Sequence, residues 1–228
     1  MNPNVEVLHG SSLTLDADRQ RVLRNTYALL ALSMLPTVLG AWFGMSTGLA
    51  AAMSPMVGLV VFLAGAYGFM FAIEKYKNSG AGVALLLGFT FFMGVMLARL
   101  LGLVLSKGNG ASLVMMAFAG TSAVFFGMAL LSTMIKRDLS GLSRFLFIGA
   151  IGVMVVGIAN VFIGSGALML TLSVLVVFIF SAFILVDLKR VRDGEETNYV
   201  TATLGVYLSL YNVFQSLLAM FGVLGGDD

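Results

Sequence analysis

The chain has 228 residues, 59% of them hydrophobic and only 11% charged, and its mean hydropathy is +1.01. A soluble domain carries roughly 25% charged residues, and a core of this size could not hide so much apolar surface from water, so the composition calls for lipid as the solvent. A net charge of +2 and a pI near 9.0 give no nucleic-acid-binding face, and the lack of cysteine removes disulfides, thiolate nucleophiles and thiol metal sites together.

Residues 1–26 form a polar leader that holds the single histidine, His9, and the cations Arg19, Arg21 and Arg24. Its basic residues precede a long span and no small-residue cleavage site follows a short apolar core, so it does not read as a secretory signal. Seven apolar segments follow, near 27–47, 55–73, 82–105, 111–134, 145–164, 167–187 and 200–222. Each is close to the ~20 residues that cross ~30 Å of hydrocarbon. A backbone in lipid must satisfy its own polar groups, and strand-like alternation is absent, so the expected fold is all-α: a seven-helix integral membrane bundle. The joints carry breakers, among them Ser54-Pro55, Asn78-Ser79-Gly80, Gly108-Asn109-Gly110 and Gly164-Ser165-Gly166. No linker divides the region 27–222, which is expected to be one transmembrane domain, with residues 223–228 as a short tail.

Loop charge sets the expected orientation. Arg19, Arg21 and Arg24 precede the first span, and Lys75 and Lys77 follow the second. Lys136, Arg137 and Arg144 follow the fourth, and Lys189, Arg190 and Arg192 the sixth; the opposite loops hold only Lys107. This segregation places the N-terminus in the cytoplasm and the C-terminus outside. On the first span Gly40, Gly44 and Gly48 recur every four residues, a ridge that suits close helix approach within the bundle or between two copies of the chain.

Known intramembrane chemistry finds few residues to use. A zinc protease needs HExxH and a serine protease needs a histidine base, and one leader histidine supplies neither. An aspartyl protease needs two carboxylates sharing a proton, whereas the acids at the spans are Glu74 and Asp187 at predicted inner ends. Neither a phosphate-cradling glycine loop nor a metal-ligand cluster is present, so no enzyme activity, cofactor or metal is expected. Arg99 lies near the outer end of the third span, where its stem can snorkel to water or its head can line a polar cavity.

Two polar features remain. Residues 167–186 carry no charge, and Asp187 follows them directly at the inner border, to be held by Lys189, Arg190 or water, or else buried against the last span. That last span is the most polar: Ser209, Asn212 and Ser216 fall on one helical stripe, flanked by Tyr207, Tyr211 and Gln215. Such groups should face other helices or an aqueous pocket. Asn160 on the fifth span is a candidate partner.

Several blocks carry a family likeness: Val22-Leu23-Arg24-Asn25-Thr26-Tyr27, Tyr67-Gly68-Phe69-Met70-Phe71, Gly194-Glu195-Glu196-Thr197-Asn198-Tyr199 and Tyr207-Leu208-Ser209-Leu210-Tyr211-Asn212-Val213-Phe214. In these the chain resembles the Bax inhibitor (TMBIM) family, and most of all its bacterial YccA-type branch of modulators of the FtsH protease. The resemblance implies a seven-helix bundle of that type in the bacterial inner membrane, with FtsH as partner. It also implies a role as inhibitor and slowly degraded competitor of that protease, with the leader around Arg19, Arg21 and Arg24 as the exposed handle. Other members of the wider family are pH-sensitive calcium leaks gated by a pair of aspartates on the last two helices. Asp187 matches the first of these, but Ser209 stands where the second should follow Tyr207-Leu208. Two carboxylates would titrate as a coupled pair and one cannot, so calcium as a ligand becomes the second reading. The serine suggests instead an Asp187–Ser209 or Asp187–Tyr207 hydrogen bond, with Asn212 close by.

Overall fold

The computed structural model describes residues 3–225, and the side chains of all of these except residues 3–16 and 50. Among the described residues every regular element is an α-helix: α1 Pro3–Thr47, α2 Leu49–Ala52, α3 Pro55–Tyr76, α4 Gly80–Leu105, α5 Gly110–Met134, α6 Ser140–Ile163, α7 Gly166–Asp193 and α8 Tyr199–Leu224. Seven of them are long and apolar enough to cross a membrane, the first contributing Ala17–Thr47. The expected bundle is therefore present, with span ends that differ from the hydropathy reading. The first helix runs unbroken through residue 26, so the described part of the polar leader is continuous in helix with the first span. Likewise α6 starts five residues before the expected boundary of 145, and α7 continues six past 187. A helix leaving hydrocarbon has no reason to stop at the interface; it stops where a cap or a glycine allows.

Those stops are visible in the chain. Ser54 accepts the Val57 N–H and sets Pro55 at the first position of α3, where a missing N–H costs nothing. Asn198 accepts the N–H groups of Val200 and Thr201 to cap α8. Gly194 ends α7 at φ 81, a left-handed conformation that favours glycine. Asn160, expected to reach the last span, instead brackets the α6–α7 turn: its amide donates to the Ser165 carbonyl and its oxygen accepts the Ser165 N–H. A two-residue connection leaves those backbone groups orphaned, and the nearest amide satisfies them.

The centre of the bundle is α8, packed on α7, α5, α1 and α4, while α6 leans chiefly on α7 and α3 chiefly on α4. Its core holds Phe89 and Met93 of α4, Ile184 and Leu188 of α7, and Val206, Tyr207, Val213 and Leu218 of α8. Large apolar side chains such as Trp42, Phe71, Phe118, Phe145 and Phe178 point outward. An outer surface this apolar matches acyl chains rather than water.

The tightest contact is the crossing of α1 and α4. A Cβ placed on Gly40 would stand 2.0 Å from the Phe91 carbonyl oxygen, and one on Gly94 would stand 2.0 Å from that of Thr37. Gly44 faces Ala98 and Val95 in the same way, whereas Gly48 has open space around it and a left-handed φ of 65 that ends α1. The glycine ridge thus serves packing inside the molecule at two of its three positions. Without a hydrophobic force between helices in lipid, close backbone approach is what holds such a pair.

Candidate functional site

The cation-rich turns meet at one end of the bundle. Asn198 donates to the Lys77 carbonyl and the Asn78 side-chain oxygen, at 3.2 and 2.8 Å, tying the α3–α4 turn to the start of α8. From α7, Arg192 reaches the Ile135 carbonyl of the α5–α6 turn at 3.2 Å and bonds Asp193. Lys189, only 6% exposed, is bound to Asp193 as well, and Arg190 lies 3.7 Å from Glu195. The leader joins here through Arg19, whose guanidinium crosses the α7–α8 turn so closely that a Cβ on Gly194 would sit 2.6 Å from its Nε. Arg21 and Arg24 remain exposed along α1. The Gly194–Tyr199 block, together with Arg192 just before it, is therefore a clasp holding three turns and the first helix in register. At the opposite end Arg99, largely exposed, donates to the Met53 carbonyl at 3.4 Å, and Lys107 to that of Gly225 at 3.2 Å.

In the turn before α6, Asp138 accepts both the N–H and the hydroxyl of Ser140, at 2.8 and 2.5 Å. Those two bonds, the hydroxyl's first, hold the Asp138 carboxyl below the usual carboxylate range.

Asp187 sits one helical turn before Arg190 on α7 and looks toward α8 at Gly205. A Cβ on that glycine would lie 3.1 Å from Asp187 Oδ2, so the missing side chain leaves room for the carboxylate. Among the described residues it accepts no hydrogen bond. On its outer side it lines a cleft of ≈ 580 Å³ with Arg144, Phe147, Phe183 and Arg190, between α6 and α7.

The four residues grouped from the sequence do not form one cluster. Ser209 is buried one turn beyond Gly205, on the Asp187 side of α8. Tyr207 turns the other way, into the α1–α4 crossing: Thr37 sends its own proton to the Ser33 carbonyl, so Tyr207 donates to Thr37 Oγ1 at 2.9 Å, with the Thr90 carbonyl at 3.4 Å. Tyr211, one turn on, donates to the Met93 carbonyl at 3.2 Å. The Asp187–Tyr207 bond is thus not made, because the tyrosine ring is drawn to the opposite face of α8, where Phe89 packs edge-on against it. Asn212 bonds the Leu208 carbonyl of its own helix. What periodicity alone missed is Gly205, the actual neighbour of Asp187, and the pair Thr37 and Thr90. The signal for the first was a glycine in mid-helix, where it costs roughly 1 kcal/mol relative to alanine unless something needs the space. The site can hydrogen-bond, pair charges and hold a polar group at the membrane border. No group of three acidic or histidine residues able to hold a metal occurs among the described residues.

Comparison with known proteins agrees with this architecture. The family model described as inhibitor of apoptosis-promoting Bax1 matches residues 19–226. The chain is 36% identical over 218 residues to an uncharacterized membrane protein of Vibrio cholerae, covering 96% of each chain. It is 37% identical over 207 residues to a protein of Escherichia coli K12 named modulator of FtsH protease YccA, covering 91% of this chain and 92% of the relative. The same identity and coverage relate it to a protein of Escherichia coli O6:H1 named inner membrane protein YccA. A family match along nearly the whole length, borne on seven membrane-spanning helices, makes this chain a multi-pass inner-membrane protein of the Bax inhibitor family.

Proposed function

We propose that the protein modulates the FtsH protease from within the inner membrane, engaging it while resisting its own extraction, and so restrains degradation of other membrane substrates. The observation that carries this reading is the 37% identity to the modulator of FtsH protease over 91% of the chain. Two structural features support it. Positive-inside orientation puts the clasp end and the leader on the cytoplasmic side, and α1 presents Arg21 and Arg24 there in exposed positions. Behind that handle, α1 is held by the Gly40–Gly94 crossing and by the Tyr207 hydroxyl from α8, at the far end of the sequence. Pulling on the leader thus loads the most tightly packed part of the bundle. The role is one of binding and competition rather than of an enzyme.

Crosslinking in native membranes followed by mass spectrometry tests the partner, and turnover of an FtsH membrane substrate in cells with and without this protein tests the effect. Capture of FtsH with slower substrate turnover is expected; unchanged turnover at high abundance would remove the proposal. Deletion of residues 1–24 should change the protein's own lifetime. The calcium-leak reading has in its favour the Asp187 carboxylate beside a cleft, but Ser209 supplies no second carboxylate. Calcium flux in liposomes that is unchanged in Asp187→Asn would count against it.

A further inference from the structure

The groove between α6 and α7 has a composition that changes with depth. Arg144 and Arg190 stand at its mouth, Asp187 one turn further in, and Phe147 and Phe183 beyond. At 1.5 Å per residue the path from Arg190 to Phe183 descends about 10 Å, the reach of a lipid headgroup and its first acyl carbons. A second cleft of ≈ 270 Å³ adjoins it at the mouth and shares Arg144 and Arg190. The larger volume lies within the roughly 300–1,000 Å³ of small-molecule sites.

Two opposite charges line this groove without satisfying each other. Arg144, exposed in the second turn of α6, makes neither a hydrogen bond nor a close ion pair among the described residues, and Asp187 accepts no hydrogen bond. Lys189 is turned away onto Asp193, and Arg190 is shared with Glu195 at 3.7 Å. With Asp138 and Glu195 also at the mouth, a purely anionic ligand would meet as many carboxylates as cations. A ligand carrying a phosphate and a cation a few ångströms apart, on an apolar tail, meets a partner for every part.

We propose that the α6–α7 groove binds one zwitterionic glycerophospholipid with a primary ammonium headgroup, its phosphate on Arg144 and Arg190, its ammonium on Asp187 and an acyl chain along Phe147 and Phe183. The charges lie at the level where headgroups meet hydrocarbon, and α6, which leans chiefly on α7, leaves the groove open to the bilayer. An ammonium with N–H donors can hydrogen-bond the groove-facing side of the carboxylate, which a quaternary ammonium cannot.

The test is native mass spectrometry of the full chain in mild detergent, stripped of lipid and then given phosphatidylethanolamine, phosphatidylcholine or phosphatidylglycerol. The ethanolamine lipid should be retained about fivefold better than either of the others, the discrimination one partly exposed ion pair supplies. Arg144→Gln should lower the retention of all three lipids, which share the phosphate, and Arg144→Lys restore much of it, while Asp187→Asn should abolish the preference of ethanolamine over both choline and glycerol headgroups. Melting curves establish that each variant is folded; Arg144 is exposed, so its variants decide the matter even where Asp187→Asn fails to fold. Equal retention of the three lipids, preference for the glycerol lipid, or indifference to Arg144→Gln would each overturn the proposal.

Discussion

Replacing Gly40 by alanine puts the α1–α4 crossing to a direct test. The new Cβ would lie 2.0 Å from the Phe91 carbonyl oxygen, 2.9 Å from its carbon and 3.1 Å from the Val95 nitrogen. All three are backbone atoms of a helix, so no side chain can swing aside. Restoring an ordinary contact of 3.4 Å requires the helices to part by about 1.4 Å. Overpacking of this kind costs about 1–3 kcal/mol. The separation also pulls Thr37 from Thr90, between which Tyr207 donates at 2.9 and 3.4 Å, and losing one such bond adds about 0.5–1.5 kcal/mol. A total of roughly 2–4 kcal/mol follows, which at about 2–4 °C per kcal/mol lowers the melting temperature by ~10 °C. The assay is thermal unfolding of the purified protein in a single detergent. Gly68→Ala is the control: no heavy atom lies within 4 Å of its Cβ, so helix propensity alone acts and stability holds or rises by about 0.4–1 kcal/mol. Equal melting temperatures for Gly40→Ala and Gly68→Ala would refute the idea that backbone contact at this crossing holds α1.

Other residues give sharper local readouts. Tyr211→Phe removes only the bond to the Met93 carbonyl and should cost about 0.5–1.5 kcal/mol in the same melt, less than Gly40→Ala. Asn198→Ala loses the α8 cap and the link to Lys77 and Asn78, an expected loss of about 1–2 kcal/mol, whereas Asn198→Asp keeps the cap and should recover part of it. The Asp138 carboxyl titrates lower in the folded protein than in the unfolded chain, so its support of the α6 start is complete above the ordinary carboxylate pKa of about 3.9 and fades as pH falls through the folded value. Hydrogen exchange at Ser140 and its neighbours should speed up in that acid window, and Asp138→Asn should show no such pH dependence. Gly194→Ala forces an alanine to φ 81 and against Arg19, and protease nicking at the α7–α8 turn should increase.

Lipid as solvent, seven helices and the segregation of cations to alternate turns are properties of local composition, and they were legible along the chain because hydrocarbon demands them of any segment that crosses it. Which faces meet was not legible. The more apolar α6 lies at the rim and the more polar α8 at the centre, since in lipid burial earns no hydrophobic reward and hydropathy does not rank helices by how deeply they pack. The stripe of Ser209, Tyr207, Tyr211 and Asn212 announced a helix that needed polar partners. The partners themselves, the Thr37 hydroxyl and the Thr90 and Met93 carbonyls, came from helices that only the tertiary fold brings near. Asp187 was visible as a charge at the border. That it rests over Gly205, with a groove on its outer side, depends on shapes meeting across three helices, and one-dimensional periodicity carries no information about shape.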